Sequence, residues 1–382
     1  MTLADPIRFL IGLALLVWGA ERLVRGASSF ARRLGVPPLV IGLTVVAFGT
    51  SSPELAVSIG SSLSDRPEIA LGNVVGSNIF NVLLILGASA LITPLAVSAR
   101  LVRFDVPVMI GVSALVLLLA LNGTIGRVDG VLLLATGALY FFLLYRGARA
   151  NHQAGPTPGV PPKAASEPTT TASSSGAPVR RGPAAGGLFR DILAVVLGLA
   201  FLFLGTHWLL KGAIAIATAL GVSPLIIGLT IVAAGTSLPE LVTSIAAAAR
   251  KEQDIAVGNV VGSNVFNLLF VLGAAATLSG GLAVERETLQ LDLPVMLAVA
   301  VACLPVFFTG SRIGRWEGLL FLAYYVAYMT FVALESLAPA VAPAFKAVML
   351  GLVVPLTAVT LGVIAWRQWH ATRRERGSGE PV

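Results

Sequence analysis

Residues 42–54 read GLTVVAFGTSSPE, and residues 228–240 read GLTIVAAGTSLPE. A second pair follows: residues 69–81 read IALGNVVGSNIFN and residues 255–267 read IAVGNVVGSNVFN. Both pairs are offset by 186 positions, and upstream Gly12, Gly19 and Gly26 keep that offset to Gly198, Gly205 and Gly212. Downstream the offset slips to 187 between Asp105 and Asp292 and to 188 between Gly126 and Gly314, as one or two inserted loop residues would cause. Matches of this length, in this order, mark an internal duplication.

The duplicated unit is apolar. Hydrophobic residues make up 56% of the 382 residues and charged residues 12%, about half the charge of a soluble domain. The mean hydropathy of +0.88 excludes a soluble globule and a disordered chain. Each copy holds five apolar segments, near 7–24, 38–62, 69–93, 104–121 and 128–145, then near 190–209, 224–249, 255–279, 289–309 and 315–334. A helical span needs ~20 such residues. Another segment, near 345–366, has no counterpart in the first copy. Five is odd, so the second copy must enter the bilayer in the opposite sense, the plan of many secondary transporters. The expected fold is therefore an all-α polytopic membrane protein: two inverted five-helix repeats, a ten-helix core, plus an additional C-terminal transmembrane helix. The divisions are 1–149 for the first repeat, 150–187 for a flexible Pro/Ala/Ser/Thr/Gly-rich linker, 188–336 for the second repeat and 337–382 for the extra helix and basic tail.

The net charge of +7 is a topology signal rather than a nucleic-acid footprint. With the N-terminus outside, only Arg8, Arg66, Arg127, Lys211, Arg286 and Lys346 of the 26 Lys and Arg fall on the outer side, a strong positive-inside bias. That puts the linker and the C-terminus in the cytoplasm and makes the first span a retained one, with no removable signal peptide. The lone Cys303 reads as a small buried apolar residue. Three scattered histidines make no metal cluster, and no nucleophile–base pair or nucleotide loop argues for an enzyme.

Polar atoms interrupt the apolar helices at matched places. Pro53 has no N–H to give to the carbonyl of Gly49. Ser51 or Ser52 before it resembles an N-cap followed by Pro at the first helical position. The span 38–62 should break there, and Pro239 repeats the break. Freed backbone inside a bilayer is tolerated where it lines a protein-enclosed cavity, so paired breaks point to a midplane binding site. Thr50, Ser51 and Glu54 share a face, as do Ser77 and Asn81 on the next span. Thr236, Ser237 and Glu240, with Ser263 and Asn267, repeat both patterns. Inversion brings the two sets into one oxygen-rich cage with two carboxylates. An ionised Glu at mid-bilayer costs at least ~3 kcal/mol, and no basic residue lies on these segments. A transported hard cation is the partner such a cage wants. Two carboxylates balance one Ca²⁺ or two Na⁺. The remaining polar residues read more blandly. Thr44, Thr230, Ser58 and Ser244 are expected to bond their own helix backbone. Asn73, Asn78, Asn259 and Asn264 should serve as interhelical hydrogen-bond glue. Gly72, Gly76, Gly258 and Gly262 should form close-packing faces, and Asp105 and Asp292 should lie at the interface.

The strings GTSSPEL (49–55) with GNVVGSNIFN (72–81), and GTSLPEL (235–241) with GNVVGSNVFN (258–267), resemble the α-repeats of the sodium/calcium exchanger superfamily of calcium/cation antiporters. The similarity spans residues 7–335. It implies a cage around Glu54 and Glu240, with backbone carbonyls at Ala47 and Ala233 as further ligands. It also implies Ca²⁺ expulsion against inward Na⁺ by alternating access, the first helix of each repeat sliding as a gate. Several sodium/calcium exchangers carry Asp where this chain has Asn267, so one carboxylate fewer lines this cage and H⁺ competes with Na⁺ as the driving ion. The linker is too short for the large regulatory Ca²⁺-binding domains of animal exchangers. The resulting expectation is a monomeric inner-membrane Na⁺/Ca²⁺ antiporter, with a Ca²⁺/H⁺ antiporter as the alternative and no cofactor. A channel or a scaffold fits less well: channels gather symmetry from several subunits, and a scaffold has no use for two unpaired intramembrane carboxylates.

Overall fold

The computed structural model describes residues 4–64, 67–153, 185–220, 234–308 and 312–357, with 359 and 362. The linker expected at 150–187 therefore falls largely outside the described residues, as do the basic tail, Thr230, Ala233 and the run leading into the second break.

The first helix, α1 (Ala4–Leu34), has 31 residues, a length of ~46 Å at 1.5 Å per residue. Asp5 in its first turn and Arg32 and Arg33 in its last match the sign of the helix dipole. It stops at Gly35, whose φ of +64° suits glycine alone, while the Val36 N–H returns to the Ala31 carbonyl at 3.0 Å, a Schellman end. Then come α2 (Pro38–Thr50) and α3 (Ser52–Leu63), bent by 44° at Ser51. The first half continues with α4 (Glu68–Ile92), α5 (Leu101–Ala120) and α6 (Arg127–Gln153). The second half holds α7 (Ala185–Ala219), α8 (Leu238–Ala249), α9 (Gln253–Ser279), α10 (Thr288–Phe307), α11 (Arg315–Leu337) and α12 (Ala342–Thr357).

Among the described residues, seven helices are long and apolar enough to cross a membrane, and the bent pair α2–α3 makes an eighth span. The protein is thus a multi-pass membrane protein. Its centre is formed by α9 and α4, whose apolar windows are 94% and 72% buried. Around them lie helices that turn apolar side chains outward, such as α11 at 22%. The last helix, α12, packs on α11 through Tyr324, whose hydroxyl lies 2.6 Å from Thr357 Oγ1.

Glycines set the closest helix contact. A Cβ on Gly19 would sit 2.8 Å from the Gly198 carbonyl oxygen, and one on Gly205 would sit 2.9 Å from that of Gly12. Gly26 meets Asp191 and Gly212 meets Asp5, so α1 and α7 run antiparallel with a glycine at each near-contact. Inside a bilayer such pairs associate by close backbone approach rather than by hydrophobic drive. Gly258 and Gly262 of α9 pack in the same way against Leu39 and Leu43 of α2.

Two short antiparallel ribbons tie the halves together. Strand β1 (Leu95–Ala96) pairs with β4 (Arg312–Ile313), and β2 (Thr124–Gly126) pairs with β3 (Gly281–Ala283). Each ribbon joins the segment after the third span of one half to the segment between the fourth and fifth spans of the other.

Asp105, in the first turns of α5, is fully buried within the protein. Tyr140 donates to its Oδ1 at 3.1 Å, and Arg100 Nε lies 3.8 Å from its Oδ2. The apolar sequence around it hides these two partners, which lie on other turns and another helix. Asp292 repeats the tyrosine contact with Tyr328 at 3.0 Å.

Candidate functional site

The site grows from the two breaks. Ser51 (φ −83°, ψ 8°) and Ser237 (φ −89°, ψ 8°) hold the same non-helical conformation, each followed by a helix with Pro in its first turn. The caps lie where the sequence puts them, but neither serine makes the expected side-chain capping bond. Each hydroxyl crosses instead to the other half. Ser51 Oγ donates to Glu240 Oε1 at 2.9 Å, and Ser237 Oγ donates to Glu54 Oε1 at 2.9 Å. A proline at the next turn leaves the serine free to do so, because that turn has one fewer N–H to satisfy.

The flanking helices complete the ring. Ser77 Oγ of α4 lies 3.0 Å from Ser237 Oγ. Asn81 Nδ2 donates to Asn264 Oδ1 at 2.9 Å, and Asn264 Nδ2 donates to the Asn78 carbonyl at 3.3 Å. Asn267 Nδ2 reaches Asn78 Oδ1 at 3.5 Å. Both Asn81 and Asn267 open a π-helical turn, a local widening frequent at functional sites. Glu54, Glu240, Thr50, Ser51, Ser237, Ser263, Asn81 and Asn267 are all 1% exposed or less.

The structure brings the sequence-predicted residues Glu54, Glu240, Thr50, Thr236, Ser51, Ser237 and Ser77 into hydrogen-bonded groups that cross between the halves, and Asn81 and Asn267 into a separate group with Asn78 and Asn264 that also spans both halves. Ser263 is buried on α9 with an unpartnered hydroxyl. Ala47 is buried, and its carbonyl accepts the Ser51 N–H at 2.9 Å, with the Thr50 hydroxyl 3.4 Å away. Ala233 lies outside the described residues.

Among the described residues, four buried acceptor oxygens of these groups have no donor: Glu54 Oε2, Glu240 Oε2, Asn81 Oδ1 and Asn267 Oδ1. Buried acceptors are paired in nearly all folded proteins, so such a set suits a positive guest. Among the described residues no cluster of three or more His, Cys, Asp or Glu occurs. A cation here would be held by two carboxylates together with amide, hydroxyl and carbonyl oxygens. That donor set is hard and carries no nitrogen or sulfur, as Na⁺ and Ca²⁺ prefer.

Two groups read as bland in the sequence join this network. Thr44 bonds its own helix at Val40 O, as expected. Ser58 and Ser244 do not: each accepts from an asparagine amide, at 2.9 Å from Asn73 and 3.0 Å from Asn259. The matched spacing of 15 residues in both copies is the signal that could have found them.

Comparison with known proteins finds relatives over most of the chain. The family model described as sodium/calcium exchanger protein matches residues 5–146 and 191–334. The sodium/calcium exchanger MaX1 of Methanosarcina acetivorans is 38% identical over 336 residues, covering 84% of this chain and 96% of its own length. The inner membrane protein YrbG of Escherichia coli is 35% identical over 333 residues, covering 87% and 97%. A solved structure of the sodium-calcium exchanger NCX_Mj, soaked with Na⁺ and Ca²⁺, superposes with a TM-score of 0.69 at 31% identity, covering 88% of this chain and 99% of that one.

Proposed function

Since the chain belongs to the sodium/calcium exchanger family, and is therefore a transporter rather than an enzyme, we propose that it exchanges Ca²⁺ for Na⁺ at one central cage by alternating access. The carrying observation is the set of four donorless buried oxygens on Glu54, Glu240, Asn81 and Asn267. The ligands in this reading are those residues with Thr50, Ser51, Ser77, Thr236, Ser237, Ser263 and the backbone at Ala47; Ala233 completes the set by repeat symmetry. Two carboxylates are neutralised equally by one Ca²⁺ or two Na⁺. A filled cage can change its facing at low cost, and an empty one keeps a buried negative charge.

The architecture behind this is two inverted five-helix repeats, 1–149 and 188–336, joined by a cytoplasmic linker at 150–187, with an eleventh span and basic tail in 337–382. Two observations support the inversion. Equivalent helices α1 and α7 cross antiparallel at equivalent glycines. The ribbons β1–β4 and β2–β3 join segments that inverted repeats put on the same side of a bilayer and that parallel repeats would put on opposite sides. The basic residues favour an N-terminus outside and a cytoplasmic C-terminus in the inner membrane. The chain carries its own twofold, so one copy suffices as the transporting unit.

A second reading, Ca²⁺/H⁺ antiport, draws on the same geometry: Asn stands at both 81 and 267, and two carboxylates can take protons in place of Na⁺. Purified protein in liposomes separates the two. Isotopic Ca²⁺ uptake is measured with outward Na⁺, K⁺ and H⁺ gradients imposed one at a time. Uptake that follows the Na⁺ gradient is expected; uptake indifferent to Na⁺ and driven by protons transfers the assignment to the second reading.

A further inference from the structure

Asn73 and Asn259 touch the cage without being among its predicted ligands, and their bonds are mirrored. Asn73 Nδ2 donates to the Glu54 main-chain carbonyl at 3.2 Å and to Ser58 Oγ at 2.9 Å. Asn259 Nδ2 donates to the Glu240 carbonyl at 3.4 Å and to Ser244 Oγ at 3.0 Å. A carbonyl oxygen only accepts, so the nitrogen of each amide must face it and the amide cannot be flipped. The oxygen of each amide then faces a threonine of the opposite half. Thr236 Oγ1 lies 3.2 Å from Asn73 Oδ1, and Thr50 Oγ1 lies 3.1 Å from Asn259 Oδ1. An amide oxygen has no hydrogen, so the threonine must be the donor.

A hydroxyl has one hydrogen and two lone pairs. Committing the Thr236 hydrogen to Asn73 leaves only lone pairs for the cage. The Thr236 hydroxyl is also within hydrogen-bonding reach of the Glu54 carboxylate, and Thr50 of Glu240, so each asparagine oxygen competes with a carboxylate for the threonine hydrogen; among the described residues Glu54 Oε2 and Glu240 Oε2 receive no hydrogen bond. Oxygen lone pairs beside a carboxylate repel unless a cation lies between them. For Thr50 the alternative acceptors are carbonyls of its own helix, Val46 at 3.1 Å and Ala47 at 3.4 Å, and a hydrogen given to either still leaves only lone pairs for the cage. Ser51 and Ser237 behave differently: their hydrogens point into the cage, at the carboxylates.

We propose that Asn73 and Asn259 are positioning residues that preset the Thr236 and Thr50 hydroxyls as cation-facing acceptors. The inference rests on the cation-cage reading above. Asn73 acts on the cation only through Thr236, and Asn259 only through Thr50. Partners of metal ligands that fix ligand orientation typically matter by about 10–100-fold in affinity, and that is the scale expected here.

The test is a double-mutant cycle on the full chain in Na⁺-loaded liposomes, reading the initial rate of isotopic Ca²⁺ uptake against external Ca²⁺. Asn73→Leu keeps the branched shape and removes both donor and acceptor; Thr236→Val removes the ligand oxygen. Each should raise the KM for Ca²⁺ by about tenfold or more, with the maximal rate less affected. The double variant should be no worse than the worse single one. Thr236→Ser, which keeps the hydroxyl, should stay near the parent KM. Asn73→Asp retains the acceptor, guards against misfolding of the leucine variant, and should fall well below Asn73→Leu in KM. Additive effects in the cycle, or an Asn73→Asp KM as high as that of Asn73→Leu, overturn the proposal and make the amides plain structural clamps. The parallel set at Asn259 and Thr50 should behave alike. Glu54→Gln and Glu240→Gln separate the two levels: uptake that survives both removes the cage reading itself, whereas uptake lost in both with additive asparagine cycles removes only the positioning role.

Discussion

The cage and the ends of the two long crossing helices descend from the same duplication, yet they have aged differently. Around the two glutamates of the cage the bonds come in twins: Ser51 to Glu240 and Ser237 to Glu54, both 2.9 Å. Asn73 and Asn259 each hold one glutamate carbonyl and one serine. At the end of α1 the twin is gone. Glu21 accepts from Arg25 and Arg250 at 3.0 and 3.1 Å, and Glu252 accepts from Ser28 at 2.5 Å with Arg32 at 3.6 Å. The equivalents of Glu21, Arg25, Ser28 and Arg32 on α7 are His207, Lys211, Ile214 and Thr218, which cannot reproduce those pairs. An exchanger must offer its cargo the same ligands from either side, which holds the two copies of the cage alike. In the proposed topology the ends of the helices face two different compartments and carry opposite topology signals, and nothing holds them alike.

The comparison is broken most severely at the carboxylates. Glu54→Gln and Glu240→Gln should each reduce Ca²⁺ uptake at least ~100-fold, at or beyond the top of the range for residues outside the ligand set, and by equal amounts. A variant of either glutamate that transports normally would end the idea of two equivalent halves. Next comes the α1–α7 seam. Gly198→Val drives a Cβ to within 2.6 Å of the Leu23 main-chain nitrogen, where neither backbone can yield locally. Overpacking of that kind costs ~1–3 kcal/mol. Thermal unfolding in detergent should show a matching loss for Gly205→Val, which meets the Leu16 nitrogen at 2.7 Å.

A smaller effect is expected from making the cage unequal. Asn267→Asp adds a third carboxylate and replaces the amide nitrogen that reaches Asn78 Oδ1 at 3.5 Å, leaving two acceptors facing each other. The steepness of the Na⁺ dependence of Ca²⁺ release should rise, with a change in half-saturating Na⁺ of about tenfold, equivalent to ~1.4 kcal/mol. Asn81→Asp should do the same if the halves are equivalent; a response confined to one of them would show that only one half binds the third charge.

Much of this was legible beforehand, and the illegible remainder has a common cause. Pro53 and Pro239 announce the breaks because a missing N–H is a property of the residue itself. The shared faces of Thr50, Ser51 and Glu54 follow from helical spacing. The direction of each polar atom does not. Ser51 fits a helix cap, and only the arrival of Glu240, 189 residues away, redirects its hydroxyl. Sequence predicts backbone bonding for Ser58 and Ser244 because intrahelical acceptors are always at hand, whereas their asparagine partners stand on the neighbouring helix. Asp105 stands at a span start, which spacing predicts; its partner Tyr140, 35 residues on, is not legible from the segment around it. Long-range hydrogen-bond choice depends on which helices meet, and a single segment carries no record of that.

The least effect is expected where the halves have diverged. Glu21 and its partner Arg250 are 40% and 30% exposed, so water and salt screen the pair, and such pairs contribute ~0–1 kcal/mol. Glu21→Gln and Glu252→Gln should therefore lower the unfolding temperature in detergent only slightly. The difference from the parent protein should vanish in 1 M salt, where the screening length is ~3 Å. The reciprocal variant sharpens the point. His207→Glu restores an acid four residues before Lys211, and an i,i+4 pair of this orientation adds ~0.2–0.5 kcal/mol at low salt. If the Glu21 and Glu252 variants instead lose stability that salt does not remove, the end of α1 is held by burial rather than by charge, and the asymmetry between the helix ends is structural in the same sense as the symmetry of the cage.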